Sequence, residues 1–191
     1  KNNKEKRWII DPIDGTMNFL KGVPHFAISI AYEENGEVVC GLVFDPIKDE
    51  LFVAEKGNGA FLNNSRIRVT NKKKLFESYL ATGGPKFNSK HKNKIFDEYV
   101  KISNIVNAPV RKFGCASLDL AYVACGRFDG SWQWELSYWD VAASIIIVKE
   151  AGGYVDFLDL QAKESVKRNI IATNSAIHDE LKNNILKNII E

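Results

Sequence analysis

Between Phe26 and Thr70 the chain alternates apolar and polar residues in short runs broken by turn signals, and this pattern restricts the fold more than any other feature. FAISIAYE (26–33) is β-rich, Asn35-Gly36 marks a turn, and EVVCGLVFD (37–45) follows as a second strand. Asp45-Pro46 and Lys48-Asp49 make another turn before ELFVAEK, with Asp45 a turn residue. Gly57-Asn58-Gly59 turns again into AFLNN, and RIRVT (66–70) reads as one further short strand. The expectation is an antiparallel meander. GNGA lacks the spacing and the following helix of a dinucleotide loop and reads as a hairpin turn.

Helices enter in the second half. NKKKL (71–75) is a charged hinge, and SYLATG reads as a strand. Residues 89–104 are lysine-rich with Ile95, Tyr99, Val100 and Ile102 interleaved, the pattern of an amphipathic surface helix with solvated lysines. Residues 117–125 read as a helix with Leu118, Ala121, Tyr122 and Cys125 on one face, stopped by Gly126. Residues 141–151 form a strongly apolar helix ended by Gly152-Gly153. YVDF and NIIAT read as strands, and Asn174 or Ser175 caps a last helix with Ile177, Leu181, Ile185 and Ile189 at helical spacing. Strands and helices alternating in layers predict an α/β or α+β sandwich.

Composition excludes several classes. Net charge is +2, with 26 basic and 24 acidic residues, which gives no global reason to expect nucleic acid or an anionic membrane. Lys72 to Lys74 and the lysines of 86–101 leave polyanion binding as a minor alternative. Cys40, Cys115 and Cys125 are far apart with no CxxC spacing, the pattern of reduced thiols in a cytosolic protein. No apolar run approaches the roughly 18 residues that span a bilayer, and KNNKEKR at the N-terminus is no signal peptide. The single methionine is Met17, so Lys1 is not a translation start, and the expectation is a chain processed or lacking an N-terminal piece.

The chemistry concentrates in WIIDPIDGTMNF (8–19), where an apolar run ends in two acids, a glycine and a hydroxyl. Pro12 biases Asp11 toward an extended backbone, and Gly15 permits a tight bend. Asp11 and Asp14 repel when ionised unless a cation neutralises them or one stays protonated. No histidine or cysteine lies in the cluster, so hard Mg²⁺ or Mn²⁺ suits it and zinc does not. A helix starting after Asp14 would aim the amides of Gly15 and Thr16 at an anion beside that cation. On spacing alone, Asp14 as a helix cap and Asp11 as a turn residue fit as well. Asp140, in WDVAA, sits where an N-cap belongs and also supplies a third acid.

WIIDPIDGTMNF resembles the DPIDGTxNF signature of the inositol monophosphatase family, and WDVAASIIIVKEAGG resembles its second signature. GVPHFAISIAY, GLVFDP, ELFVAEKGNGAFLN and RIRVT are similar to the family's central meander, in order. The resemblance implies a layered αβαβα sandwich of the inositol monophosphatase / fructose-1,6-bisphosphatase type. It implies a remnant N-terminal α+β subdomain over 1–75 with the meander and DPIDGT, and an α/β subdomain over 76–191 with WDVAA. It further implies a Mg²⁺-dependent, lithium-sensitive phosphomonoesterase, a homodimer, acting on a small phosphorylated polyol or sugar. Asp11, the Ile13 carbonyl, Asp14 and Asp140 would hold metal. Asp14, Gly15 and Thr16 would cradle phosphate, with Thr16 orienting the attacking water, and Gly114, Cys115 and Ala116 would approach substrate hydroxyls beside Asp140.

Two departures stand out. The family carries a further metal-ligand glutamate in a Gly-Glu-Glu-type motif upstream, whereas only ten residues precede Asp11 and Glu5 lies in no such motif. The N-terminal helices are therefore expected to be missing, with weakened metal binding and an exposed apolar face. A substrate-touching glutamate seven residues before the helix-opening aspartate is here Gln133, so either Gln133 or nearby Glu135 makes that contact. Rival activities on the same fold are fructose bisphosphatase, histidinol phosphatase and 3′-phosphoadenosine phosphatase. A non-catalytic binding module is the rival of another class. His25 reads as a packed loop residue, His91 and His178 as surface, Trp132 and Trp134 as pocket wall or core, and Asp129 as a turn residue.

Overall fold

The computed structural model of the chain describes residues 5–85, 88–158 and 167–186. Asn35 (φ 54°) and Gly36 (φ 81°) both adopt the left-handed backbone that a tight hairpin requires, and they join β2 (Ala27–Glu34) to β3 (Glu37–Asp45). With β1 (Lys6–Asp14), β4 (Glu50–Glu55), β5 (Gly59–Leu62) and β6 (Ser65–Arg66) they make a six-stranded antiparallel sheet in chain order. The meander expected from the alternation is therefore present, and GNGA is its β4–β5 turn. RIRVT differs: only Arg66 pairs within a strand, and beyond Ile67 the chain leaves the sheet, Val69 N donating to Ala151 O (3.1 Å).

The second sheet has the order β7-β8-β10-β9, from β7 (Leu80–Thr82), β8 (Gly130–Ser137), β9 (Tyr154–Phe157) and β10 (Lys167–Thr173). β7 and β8 run parallel; the other pairs are antiparallel. Between the sheets lie α3 (Ala116–Ala124) and α4 (Tyr138–Glu150). Val141 to Val148 of α4 are all buried, as an all-round apolar helix must be. A Cβ at Gly41 would sit 2.5 Å from Ala143 O, so this glycine lets α4 lie directly on β3. All of α3 is buried rather than one face of it, because it shares the middle layer with α4.

On the far side of the second sheet, α2 (Lys92–Ile105) and α5 (His178–Leu186) cover a second core of Leu80, Ile95, Ile102, Trp132, Ile171 and Leu181. Trp132 and Trp134 are core residues here, 1% and 7% exposed. The described residues thus form a layered α/β sandwich in the order sheet, helices, sheet, helices. The last helix starts later than expected, at His178: Asn174 instead closes the turn before it, its side-chain oxygen accepting from Ala176 N (2.9 Å) and Ile177 N (3.1 Å). His178 is buried rather than exposed, with Nδ1 on Thr173 Oγ1 (2.7 Å) and Nε2 on Asp156 (3.2 Å). Ile189 lies outside the described residues. Among the described residues no helix is long and apolar enough to cross a membrane.

The hinge is tied down by Asp129. Its carboxylate accepts from Thr70 Oγ1 (2.5 Å) and Tyr79 N (2.8 Å), and Asn174 Nδ2 donates to Thr70 Oγ1 (2.9 Å). This network holds the crossing from the first sheet to the second at both ends.

Candidate functional site

β1 ends where α1 (Thr16–Leu20) begins, and the turn between them is made by Gly15 at φ 82°. A side chain there would meet His25 O at 3.1 Å and Cys115 Cβ at 3.3 Å, so the position demands glycine twice over. Asp11 Oδ1 accepts from Ile13 N (3.0 Å), and Thr16 Oγ1 donates to Ile13 O (2.9 Å). Asn18 Nδ2 donates to His25 O and to Phe113 O (both 2.8 Å), which fastens α1 to the segment carrying Gly114.

Asp14 does not cap the helix that follows it. Its Oδ2 accepts from Ser117 N (2.7 Å), Ser117 Oγ (2.6 Å) and Cys115 Sγ (3.2 Å), at the start of α3. Burial pushes its carboxyl above the usual range against those donors, and the nearby Asp11 charge adds to the rise. Burial likewise pushes the Cys115 thiol far up, so it is a neutral donor rather than a nucleophile.

Asp140 is not the N-cap of α4. Ser137 is, and Asp140 stands at N3, its Oδ2 accepting from Ser137 N (2.8 Å) in a capping box. The apolar run misplaces the start because Tyr138 and Trp139 already belong to the helix. One oxygen each of Asp11 and Asp140 is thereby held by backbone.

These elements bring Asp11, Asp14 and Asp140 together: one ligand atom from each lies within 4.8 Å of the others, and no other such acid, His or Cys group occurs among the described residues. The donor set is all oxygen, one member is buried, and three acids this close repel when ionised unless a cation neutralises them. The residues fit Mg²⁺ or Mn²⁺. Gly114 (φ 79°), Cys115 and Ala116 lead into α3 beside this cluster.

Gln133 and Glu135 lie on β8, two residues apart. Gln133 is 2% exposed, and its Nε2 donates to Asp119 Oδ2 (2.9 Å) and Ser131 Oγ (3.1 Å). Asp119 is completely buried, which holds its carboxyl well above the usual range, with the Asp14 charge acting in the same direction. Glu135 accepts from Ser89 Oγ through Oε1 (2.9 Å). Sequence reasoning passed over Ser117, Asn18 and Asp119. The signal for Ser117 was its place in the first turn of a helix directly after Gly114.

A family model described as the inositol monophosphatase family matches residues 1–191. The inositol-1-monophosphatase of Rhizobium meliloti is 46% identical over 176 residues, 92% of this chain and 66% of the relative. A fructose-1,6-bisphosphatase/inositol-1-monophosphatase of Thermotoga maritima is 42% identical over 178 residues, 93% of this chain and 66% of the relative. The crystal structure of the extragenic suppressor protein suhB from Bartonella henselae superposes with a TM-score of 0.89 at 44% identity, covering 96% of this chain and 70% of that one. The chain spans just under two thirds of the length of these two curated relatives, 66% of each.

Proposed function

Because the chain belongs to the inositol monophosphatase family, we propose that it hydrolyses a small phosphate monoester, with inositol 1-phosphate as the assigned substrate. The observation that carries this is the convergence of Asp11, Asp14 and Asp140 within 4.8 Å. Those three carboxylates and the Ile13 carbonyl would hold Mg²⁺, or Mn²⁺ in its place. When bound, the cation polarises phosphoryl oxygens and lowers the pKa of adjacent water.

The chain's own groups do the rest. Backbone N–H bonds to Asp11 and Asp140 and the donors on Asp14 fix the acceptor oxygens before substrate arrives, so little reorganisation is needed at the reaction. Gly15 leaves the backbone open for a phosphate to approach the amides of Gly15 and Thr16. The Thr16 hydroxyl donates to Ile13 O, which leaves its lone pairs to accept from the attacking water. Gly114, Cys115 and Ala116 would meet the alcohol portion of the ester. Lithium sensitivity, a homodimer and a cytoplasmic location complete this reading.

Fructose bisphosphatase activity is the second reading, supported by the double name of the Thermotoga maritima relative. The metal chemistry is the same, and residues 114–135 would decide between the esters. A binding module without catalysis has no use for three converging acids that repel one another.

The test is phosphate release from inositol 1-phosphate with Mg²⁺ titrated in and lithium as inhibitor. Asp14→Asn and Asp140→Asn should each lower kcat by at least about a hundredfold while circular dichroism stays unchanged. Mg²⁺-dependent turnover retained in both variants would sink the proposal.

A further inference from the structure

We infer that Glu33 is a positioning residue of the metal centre, a buried carboxylate that locks the first turn of α4, with Asp140, to the strands that present Asp11 and Asp14. This rests on the phosphatase reading above. β2 turns Ala27, Ser29, Ala31 and Glu33 to one face, and all four are buried. Three of them are small. The fourth is a charged side chain only 4% exposed, and both of its oxygens are taken. Arg7 Nε of β1 donates to Oε1 (2.6 Å), and the Tyr138 hydroxyl of α4 donates to Oε2 (2.8 Å). One carboxylate therefore ties three elements together.

Two of those elements carry the acids. Arg7 stands four residues before Asp11 on β1, and Tyr138 stands two residues before Asp140 in α4. β2 makes a second contact with the same turn. Ser29, paired across the sheet with Asp11, is buried and donates through Oγ to Trp139 O (3.4 Å). The first turn of α4 is thus fastened to β2 at successive residues, Tyr138 at Glu33 and Trp139 at Ser29, immediately before Asp140. The capping box orients Asp140 within its own helix, whereas the Glu33 and Ser29 bonds set where that helix stands relative to β1.

Stability alone does not account for a glutamate here. A buried ion pair returns little against apolar residues of similar volume, because desolvation offsets the attraction. It does fix register, since breaking an arm leaves a buried charge short of a donor. A three-acid centre has use for register: its oxygens have to be held within roughly half an ångström of their working positions. The Arg7 side chain is 54% exposed, so that arm adds little by itself. The Tyr138 arm is the one that reaches the Asp140 helix.

The experiment reads metal affinity apart from turnover. Calorimetry measures Mg²⁺ binding and electron paramagnetic resonance measures Mn²⁺ binding, on the unaltered chain, Tyr138→Phe, Glu33→Gln and their combination. Tyr138→Phe deletes only the hydroxyl, and Glu33→Gln sets an amide donor against one of two existing donors. Ile102→Val in the second core is the control for lost packing. Each single variant should raise Kd for both cations about tenfold, and the double variant should do no more than the worse single. Ile102→Val should lower the thermal midpoint and leave Kd unchanged. At saturating Mg²⁺, kcat for inositol 1-phosphate should return to that of the unaltered chain, with KM unchanged. Unchanged cation affinity in both single variants, whatever their thermal midpoints, overturns the inference and leaves the phosphatase reading intact. Equal weakening by Ile102→Val does so too, since Glu33 would then act through stability alone. If the unaltered chain takes up neither cation, the metal centre fails first and takes this inference with it.

Discussion

Ser117 puts two donors on one carboxylate oxygen of a residue 103 positions earlier in the chain. Its backbone N–H and its hydroxyl both reach Asp14 Oδ2, so the first turn of α3 is capped by an acid from another segment. Removing the hydroxyl leaves a buried carboxylate short of a partner. Ser117→Ala should therefore lower the unfolding free energy by about 1–3 kcal/mol, read from denaturant titration, and Ser117→Thr should recover most of it. Full stability in the alanine variant would mean that the backbone N–H alone suffices. The acids themselves were legible because each stands out locally: Asp11 and Asp14 end an apolar run beside proline and glycine, and Asp140 stands in the first turn of the most apolar helix. Ser117 was legible only as a first-turn residue of a helix after Gly114, since nothing in the spacing links that serine to an acid across the fold. The left-handed backbone of Glu135 was hidden, for no glycine or asparagine announces it.

Strand β8 and helix α2 show where reading element by element loses information. The run GSWQWELS passes into α4 with no glycine or proline between them, so its strand character was masked by the helix that follows. Helix α2 was legible from Ile95 and Ile102, but its lysine-rich sequence concealed an inward acid. Glu98 is 1% exposed and accepts from Trp134 Nε1 (3.0 Å) across the second core. Burial pushes its carboxyl from 4.5 to about 8, against the pull of Trp134, Trp132 and Lys101. The folded state then keeps a proton that the unfolded chain releases. This stabilisation is complete below pH 4.5 and is lost as pH rises through about 8. The thermal midpoint should accordingly fall between pH 5.5 and 8.5. Glu98→Gln keeps an acceptor for the indole without a titrating group, and its midpoint should fall less. The gap between the two proteins should reach a few kcal/mol, on the order of 2, at the alkaline end. Parallel pH profiles would show that Glu98 is ionised in the fold.

The layering of the whole molecule follows from a size rule inside the meander. Where α4 lies on the first sheet, the inner face carries Ala27, Ser29, Ala31 and Gly41, because a helix can lie close only on a low surface, while Val43 and Phe52 on the same face fill the space beside them, Phe52 against Tyr122 of α3. Further large apolar residues point the other way. Ile10, Ile30, Leu42, Val53 and Phe61 are paired in a row across five strands on the outer face. Trp8 packs on Tyr32 beside them with ring centroids 4.9 Å apart. Alternation along FAISIAYE predicted the strands correctly but not that both faces would be apolar, since period-two patterning marks a strand without saying which side is deeper. Among the described residues this outer face stays partly open, with Trp8 66% and Ile10 52% exposed. A contiguous apolar surface of this kind associates in water. The chain should bind a hydrophobic dye such as anilinonaphthalene sulfonate in its folded state and should self-associate at micromolar concentration in sedimentation. Trp8→Lys with Ile10→Lys, both on the edge strand, should reduce dye fluorescence severalfold and shift the species toward monomer, with the thermal midpoint nearly unchanged because neither side chain is buried. A chain that is monomeric and dye-silent before substitution would mean that the face is less accessible than its geometry indicates. Association that persists in the double variant would move the contact to another surface.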